Sequence, residues 1–440
     1  MPCKPIKTNM NTDKLNTNPN NPLGRFILWA TNVQRNEWRA SLTAFIFVFT
    51  LMTAYYLLRP ARDAMASDWT DAEVSWLWTL NFFISTAIVA LYGWIVTRVA
   101  FEKLVIGVYV FFASSFGLFY LLVRDAADTK LIDQSFYVWL SVFALFHVSV
   151  FWSFMADTFN KEQAARLFSV IAAGASVGAI FGPLLSAILV PIFGINSMLL
   201  VAAALLLLPV PLATLLNRFK VNDLGNTNYS SDSQERSIGG NPFNGFVEFF
   251  TNPYLLAIGL LIILYTGTGT FVYFELKNLL ADFTREQRAS IYGYRDAITN
   301  TITFIMALFL TGRIVPKLGM PTALGIVPII IIFGMLILAF SPILIVALGI
   351  WVTRSAGNYG LARPAREMLF TKVSRESRFK TKPVIDIVAY RGGDVLMAWF
   401  FTGLTQGLGL GLAAVALVGA AIAALWGTVG VWLGRHFERQ

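Results

Sequence analysis

Twelve apolar runs divide this chain, each close to the roughly 17–25 residues a helix needs to cross a hydrocarbon core. They lie near 38–58, 76–97, 103–123, 136–156, 167–190, 197–216, 254–274, 289–311, 320–340, 342–363, 384–404 and 408–433. Inside a bilayer no water satisfies a free backbone N–H or C=O, so runs of this length and continuity fold as helices. Composition agrees: 56% of the residues are hydrophobic and 13% charged, with mean hydropathy +0.63, against about 25% charged in an average soluble protein. The expected fold class is an all-α membrane protein with twelve transmembrane helices.

The runs fall into two sets of six. Asp68-Trp69-Thr70-Asp71-Ala72-Glu73 is matched by Asp282-Phe283-Thr284-Arg285-Glu286-Gln287, and Asn160-Lys161-Glu162 by Ser374-Arg375-Glu376, at one offset of 214 positions. A constant offset along a largely apolar chain marks two copies of one folding unit. Paired pseudo-symmetric halves of membrane helices are the architecture of secondary transporters, whose cargo site lies between the halves near the midplane. The expected organisation is a cytoplasmic tail over 1–37, a six-helix half over 38–216, a polar linker over 217–253, a second half over 254–435 and a cytoplasmic end at 436–440. Within the tail, 1–24 is rich in Asn, Thr and Pro and reads as disordered, whereas 25–37 could lie on the inner surface as a short amphipathic helix.

Lys and Arg crowd one set of connections: Arg98 and Lys103, Lys161 and Arg166, Arg218 and Lys220, Arg313 and Lys317, and the run Lys372, Arg375, Arg378, Lys380, Lys382. The opposite connections are nearly uncharged or mixed. The positive-inside rule then places the basic loops and both termini in the cytoplasm, in a multi-pass protein expected in a bacterial inner membrane. Much of the net charge of +9 has this topological origin, so it implies the lipid bilayer and no nucleic acid as partner. Cys3 is the one cysteine, which excludes an internal disulfide and a cysteine-rich metal site. No metal site and no cofactor are expected.

Chemistry must come from polar residues inside the spans, where an ionisable group costs about 2.5–3.5 kcal/mol unless it faces a cavity or a partner. At about 100° per residue, Tyr55, Arg59 and Arg62 share one face of the first run. Asp63 sits one turn after Arg59, so it could pair with one guanidinium and leave the other free, or clamp Arg59 as a plain anchor. Arg354 lies about twelve residues into the tenth run, near midplane by a rise of about 1.5 Å per residue. It serves either an anionic cargo or an internal pair with Asp296 or Asp394. Asn358, Tyr359, Arg363 and Arg366 follow it. Further runs add Tyr273, Glu275, Lys277, Arg295, Asp296, Arg391 and Asp394.

Arg59, Arg62, Lys277, Arg295, Arg354 and Arg391 face four acids, Asp63, Glu275, Asp296 and Asp394. This surplus of cations favours an anion, and the planar fork of guanidinium donors fits phosphate and carboxylate. His147 reads either as a packing residue or as a proton carrier. The stretch Gly174 to Pro183 superficially looks like a nucleotide-binding loop but lacks a preceding strand and a following Lys-Ser/Thr, so it reads as close helix packing through small residues. No nucleophile elbow, metal-ligand spacing or phosphate-cradling loop is present, and enzymatic activity has no support.

Leu58-Arg59-Pro60-Ala61-Arg62-Asp63 resembles the Leu-Arg-x-x-Lys-Asp stretch in the first helix of the ATP:ADP antiporter family, the nucleotide transporters of plastids and intracellular bacteria. Arg62 stands where those have lysine. Pro364-Ala365-Arg366-Glu367-Met368 resembles their Pro-x-Lys-Glu-Met, followed by a similar Ile385-Asp386-Ile387-Val388. Phe151-Trp152-Ser153-Phe154 and Arg166-Leu167-Phe168 also match, and the resemblance covers most of 40–410. It implies a major-facilitator-like fold and exchange of ATP against ADP, with Arg59, Arg62, Asp63, Arg366 and Glu367 carried over by match. The acids of the exchangers fall near Leu140 and Tyr273, neither of which is acidic, and the 214 offset sets Arg354 opposite Leu140.

The expected function is therefore alternating-access transport of a nucleotide or another phosphorylated or carboxylated anion by a divergent bacterial member, acting as a monomer. Arg59, Arg62, Arg354 and Arg366 hold the anionic groups. Tyr55, Tyr273 or Tyr359 stack on a ring, and Asp63, Glu275 and Asp296 pair with the arginines on the return step. Two alternatives differ in kind. An exporter of drug-like or amphiphilic compounds needs a mostly aromatic pocket, and a non-transporting scaffold needs a partner for Lys372–Lys382 or the linker. A scaffold survives neutralisation of Arg354, whereas an anion carrier does not.

Overall fold

Helices carry almost the whole chain in the structure, a computed structural model that describes residues 33–34, 36–96, 101–226, 244–309, 311–374, 381–382 and 384–439. The tail through residue 32, the centre of the expected linker and 375–380 of the basic run fall outside the described residues. The first half comprises α1 (Trp38–Ala66), α2 (Asp71–Val96), α3 (Phe101–Asp125), α4 (Lys130–Thr158), α5 (Lys161–Phe193) and α6 (Ser197–Asn222). A short helix, Asn244–Thr251, precedes the second half, so helical structure enters the expected linker from both sides. There follow α7 (Pro253–Leu279), α8 (Arg285–Phe309) and α9 (Lys317–Phe340). Helix α10 consists of Leu344–Gly357, a π-helical stretch Asn358–Ala362 and Arg363–Leu369. Helix α11 begins π-helical at Ile385–Gly392, continues α-helical over Gly393–Thr402 and ends in a second π stretch, Gly403–Gly407. Helix α12 spans Leu412–Arg439. Among the described residues, eight helices are long and apolar enough to cross a membrane by length and composition alone; the other four are α2, the charge-bearing α8, and α10 and α11, which are interrupted by π-helical stretches.

Local signals set the helix ends. Asn160 caps α5 by accepting from the Gln163 N–H at 2.8 Å while Gln163 accepts from the Asn160 N–H at 3.1 Å, a capping box that satisfies two orphan donors. Asn252 caps α7, the first helix of the second half, with Pro253 at the first helical position. Glu37, at the end of the expected tail, is buried and accepts from Arg166 of α5 at 2.7 Å, which pins the entry to α1 inside the bundle.

The glycines of α5 pack as the sequence suggests. An added Cβ would lie 2.6 Å from the Phe45 carbonyl oxygen at Gly174 and 2.6 Å from that of Thr53 at Gly182, and Gly178 meets the Phe49 carbonyl between them. Small residues thus bring the backbones of α1 and α5 into direct contact over three successive turns. The opposite side of α5 meets the other half. Ser290 and Asn300 of α8 donate to the carbonyls of Ala187 and Ala179 at 3.1 and 2.6 Å, and Gly293 leaves room for the Pro183 carbonyl. Helices α1, α5 and α8 therefore form one stack across the seam between the halves.

Candidate substrate cavity

A cavity of about 1080 Å³ opens along that seam, at the upper end of the roughly 300–1,000 Å³ usual for ligand pockets. Helices α1, α2, α4, α7, α10 and α11 all contribute to its wall. Its floor is aromatic: Tyr273 is 5% exposed, bonds the Tyr137 hydroxyl at 3.0 Å and packs on Trp78. Its mouth lies where α10 runs towards α11, at Lys382 and Glu367, whose side chains are 40% and 36% exposed. Seven cations line it, Arg59, Arg62, Arg354, Arg363, Arg366, Lys382 and Arg391, against three carboxylates, Asp63, Glu367 and Asp394.

The arginines of α1 are already engaged. Arg62 holds Asp63 through Nη2 at 2.7 Å and lies over the Tyr137 ring at 5.0 Å. The other oxygen of Asp63 takes Arg295 of α8 at 3.1 Å; Arg295 also holds Asp296 at 2.8 Å, and Asp296 faces Arg59 at 3.6 Å. One chain of alternating charge therefore crosses from α1 to α8 and back. Arg295 sits wholly inside it, between the rings of Trp351 at 4.2 Å and Tyr292 at 4.5 Å. Of the two guanidiniums within its reach on α1, Asp63 takes Arg62, and its other oxygen turns to the opposite half; Arg59 faces Asp296 instead, so the plain Arg59–Asp63 anchor does not form.

Arg354 differs. It is 7% exposed, and no carboxylate lies within ion-pair distance of it among the described residues, so neither alternative partner, Asp296 or Asp394, engages it. Its guanidinium lies flat against α7 in a slot opened by Gly269, where a Cβ would stand 2.5 Å from Cζ. Tyr265 stacks on it at 4.6 Å, the Tyr265 carbonyl accepts from Nη1 at 3.3 Å, and Nε has no partner. A buried guanidinium with so few acceptors retains strong unmet capacity for an anion. Nearer the mouth, Arg366 donates to the Tyr390 hydroxyl at 2.7 Å and to Glu367 at 3.1 Å.

Of the residues singled out from the sequence, Tyr55, Arg59, Arg62, Asp63, Tyr273, Arg354, Tyr359, Arg363, Arg366, Glu367, Arg391 and Asp394 line this cavity. Arg295 and Asp296 stand behind its wall and act on it through Asp63 and Arg59. Asn358 is buried in the π turn outside the lining, and Glu275 and Lys277 lie elsewhere. His147 packs between Tyr55, at 4.7 Å, and Phe143. Sequence reasoning missed Trp78, Asn81, Tyr137 and Tyr390 as lining residues. The 214 offset carried part of the signal, because it pairs Tyr137 with Trp351 and Arg59 with Tyr273, and all four face the cavity.

Below the floor the halves are tied together. Lys277 of α7 reaches Asp71 of α2 at 2.8 Å and the Trp69 carbonyl at 2.7 Å. Asn278 and Thr405 also bond Asp71, at 3.2 and 2.9 Å. Arg285 holds both Asp68 and Asp133, Arg288 holds Asp68, and Ser75 meets Thr402 at 2.8 Å.

The family model of the Major Facilitator Superfamily matches residues 44–381. ADP,ATP carrier protein 1 of Chlamydia muridarum (strain MoPn / Nigg) is 22% identical, over 84% of this chain and 83% of its own length. Among solved structures, a bacterial homologue of the human lysosomal transporter Spinster, in an inward-facing and unoccupied conformation, superposes with a TM-score of 0.61 at 15% identity, covering 92% of this chain and 98% of that one. The nucleoside transporter NupG gives 0.60 at 12% identity, covering 91% and 99%. At such identities the solved structures speak for the fold, and the family match speaks for descent: this chain belongs to the Major Facilitator Superfamily.

Proposed function

We propose that this transporter carries an organic anion bearing phosphate or carboxylate groups, with a nucleotide as the leading candidate, by alternating access through the seam cavity. The observation that carries this reading is Arg354, a buried guanidinium without a carboxylate partner among the described residues, in a cavity whose charged lining is mostly cationic. Aromatic rings at Tyr55, Tyr265, Tyr273 and Trp351 supply flat faces for a base or ring. Similarity to an ADP,ATP carrier and to a nucleoside transporter in fold supports the nucleotide version.

The charge chain supplies a reason for exchange. Arg59 and Arg62 are neutralised by Asp296 and Asp63 between cargoes, so an arriving anion competes with these acids, and the return step carries no naked arginine. The excess of Lys and Arg on the connections around the mouth supports a cytoplasmic mouth and an outward sealed end, and we take the membrane to be a bacterial inner membrane. The test is uptake of labelled ATP into proteoliposomes loaded with ADP, followed by competition with a panel of phosphorylated and carboxylated anions. Saturable uptake that requires internal ADP is the expected result. Flux of another anion without any ATP uptake rejects the nucleotide and keeps the carrier; no anion flux at all overturns the reading.

A further inference from the structure

Glu275 is the group that the cavity leaves unexplained. It is 0% exposed, and neither carboxylate oxygen has a hydrogen-bond partner among the described residues. Charged residues on the surrounding elements are all directed elsewhere. Helix α12 between Leu412 and Gly434, α11 between Val395 and Gly407, and α10 between Leu344 and Thr353 carry no charged side chain. Arg354 on α10 and Arg391 and Asp394 on α11 face the cavity, as do Arg59, Arg62 and Asp63 on α1. On α2, Asp71 is held by Lys277, Asn278 and Thr405, and Glu73 is held by Lys130. Lys277, two residues further along α7, turns to Asp71.

An ionised carboxylate so placed would cost several kcal/mol, whereas the protonated acid buries no charge. Glu275 does not line the cavity, so its access to water runs through the sealed end, where Lys277 closes the same helix onto α2. We propose that Glu275 is a proton-binding site that reports on this seal: it carries a proton while the seal is closed and loses it when α7 parts from α2. On opening, the carboxyl O–H bond breaks and the proton passes to water on that side, leaving a hydrated carboxylate beside a freed Lys277. The sign follows. The sealed state binds one more proton than the open state, so acid on the sealed side favours closure and alkali favours opening, by up to about tenfold per pH unit. This holds whatever the cargo is.

The test needs no substrate. Nitroxide labels at Leu131→Cys and Phe283→Cys, in a Cys3→Ser background, report across the sealed end from exposed positions in opposite halves. In lipid nanodiscs the long-distance population is expected to rise with pH, by up to about tenfold per unit, and to become pH-independent in Glu275→Gln. Infrared spectra of the same samples at low pH are expected to show a protonated-carboxyl C=O stretch that Glu275→Gln removes and Glu275→Asp shifts. Distances that ignore pH in the parent protein, or that respond equally in Glu275→Gln, overturn the proposal, as does absence of that band. Should Glu275→Gln fail to fold, Glu275→Asp decides: it must shift the band and keep the pH response. Failure of ATP exchange leaves these readouts untouched, so the two proposals fail separately.

Discussion

The two ends of the bundle hold their charges differently. At the sealed end most pairs cross the seam, Lys277 to Asp71, Arg285 to Asp68 and Asp133, and Arg288 to Asp68, while Lys130 and Glu73 pair within the first half. At the mouth, the ion pairs among the described residues stay within one half, as with Lys220 and Asp157 in the first and Arg366, Lys382 and Glu367 in the second. Closure of an end is therefore a matter of which acids and bases find partners across the seam. The mouth keeps its charges solvated or paired locally, which leaves its two walls free to stand apart.

That contrast can be broken from either side. Arg354→Gln removes the buried unpaired cation and is expected to cut anion flux about 100-fold or more, since each hydrogen bond to a charged group contributes about 1.5–3 kcal/mol. Thermal unfolding in detergent should change little, and a large loss of stability would mean that Arg354 is structural. Lys277→Met leaves Asp71 without its cation, at a cost of about 3–5 kcal/mol to the sealed state. Labels at Leu131→Cys and Phe283→Cys should then read mostly long distances, and the exchange Asp71→Lys with Lys277→Asp should restore short ones. Gly269→Ala crowds the Arg354 slot and is expected to weaken anion binding about tenfold, measured as the concentration that half-saturates uptake. Arg124→Ala, which removes an exposed pair with Asp125 far from the seam, should alter neither flux nor unfolding temperature.

The helices and the cavity face of α1 were legible because each rests on a single local period. A 100° step puts Tyr55, Arg59 and Arg62 on one side, and depth within an apolar run marks Arg354. What stayed hidden depends on contacts between elements. Local spacing offered Asp63 either Arg59 or Arg62, but only the packing of α8 shows that Asp63 also takes Arg295 and that Arg59 goes to Asp296. Lys277 counted as an interior charge by position, yet the end of α7 meets the first turn of α2, and that meeting decides its partner. The lining of α10 and α11 was partly obscured for another reason. Tyr359 and Tyr390 lie in π-helical stretches, where the hydrogen bonds skip one more residue than in an α-helix. A helical wheel drawn at 3.6 residues per turn loses phase there, so Arg363, Tyr390 and Arg391 could not be placed on one face from spacing alone.

The glycine contacts between α1 and α5 carry a mechanical consequence. Where backbone touches backbone at Gly174, Gly178 and Gly182, no flexible side chain remains to absorb a displacement. Helix α5 in turn rests its other side on α8 through Ala179, Pro183 and Ala187, so the helix that owns Arg59 and the helix that owns Asp296 are coupled through a stiff spacer as well as through their charges. On the proposed reading, an anion that draws Arg59 from Asp296 acts on helices joined by backbone contact, so a displacement of α1 is handed on to α5 and α8 rather than taken up by side chains.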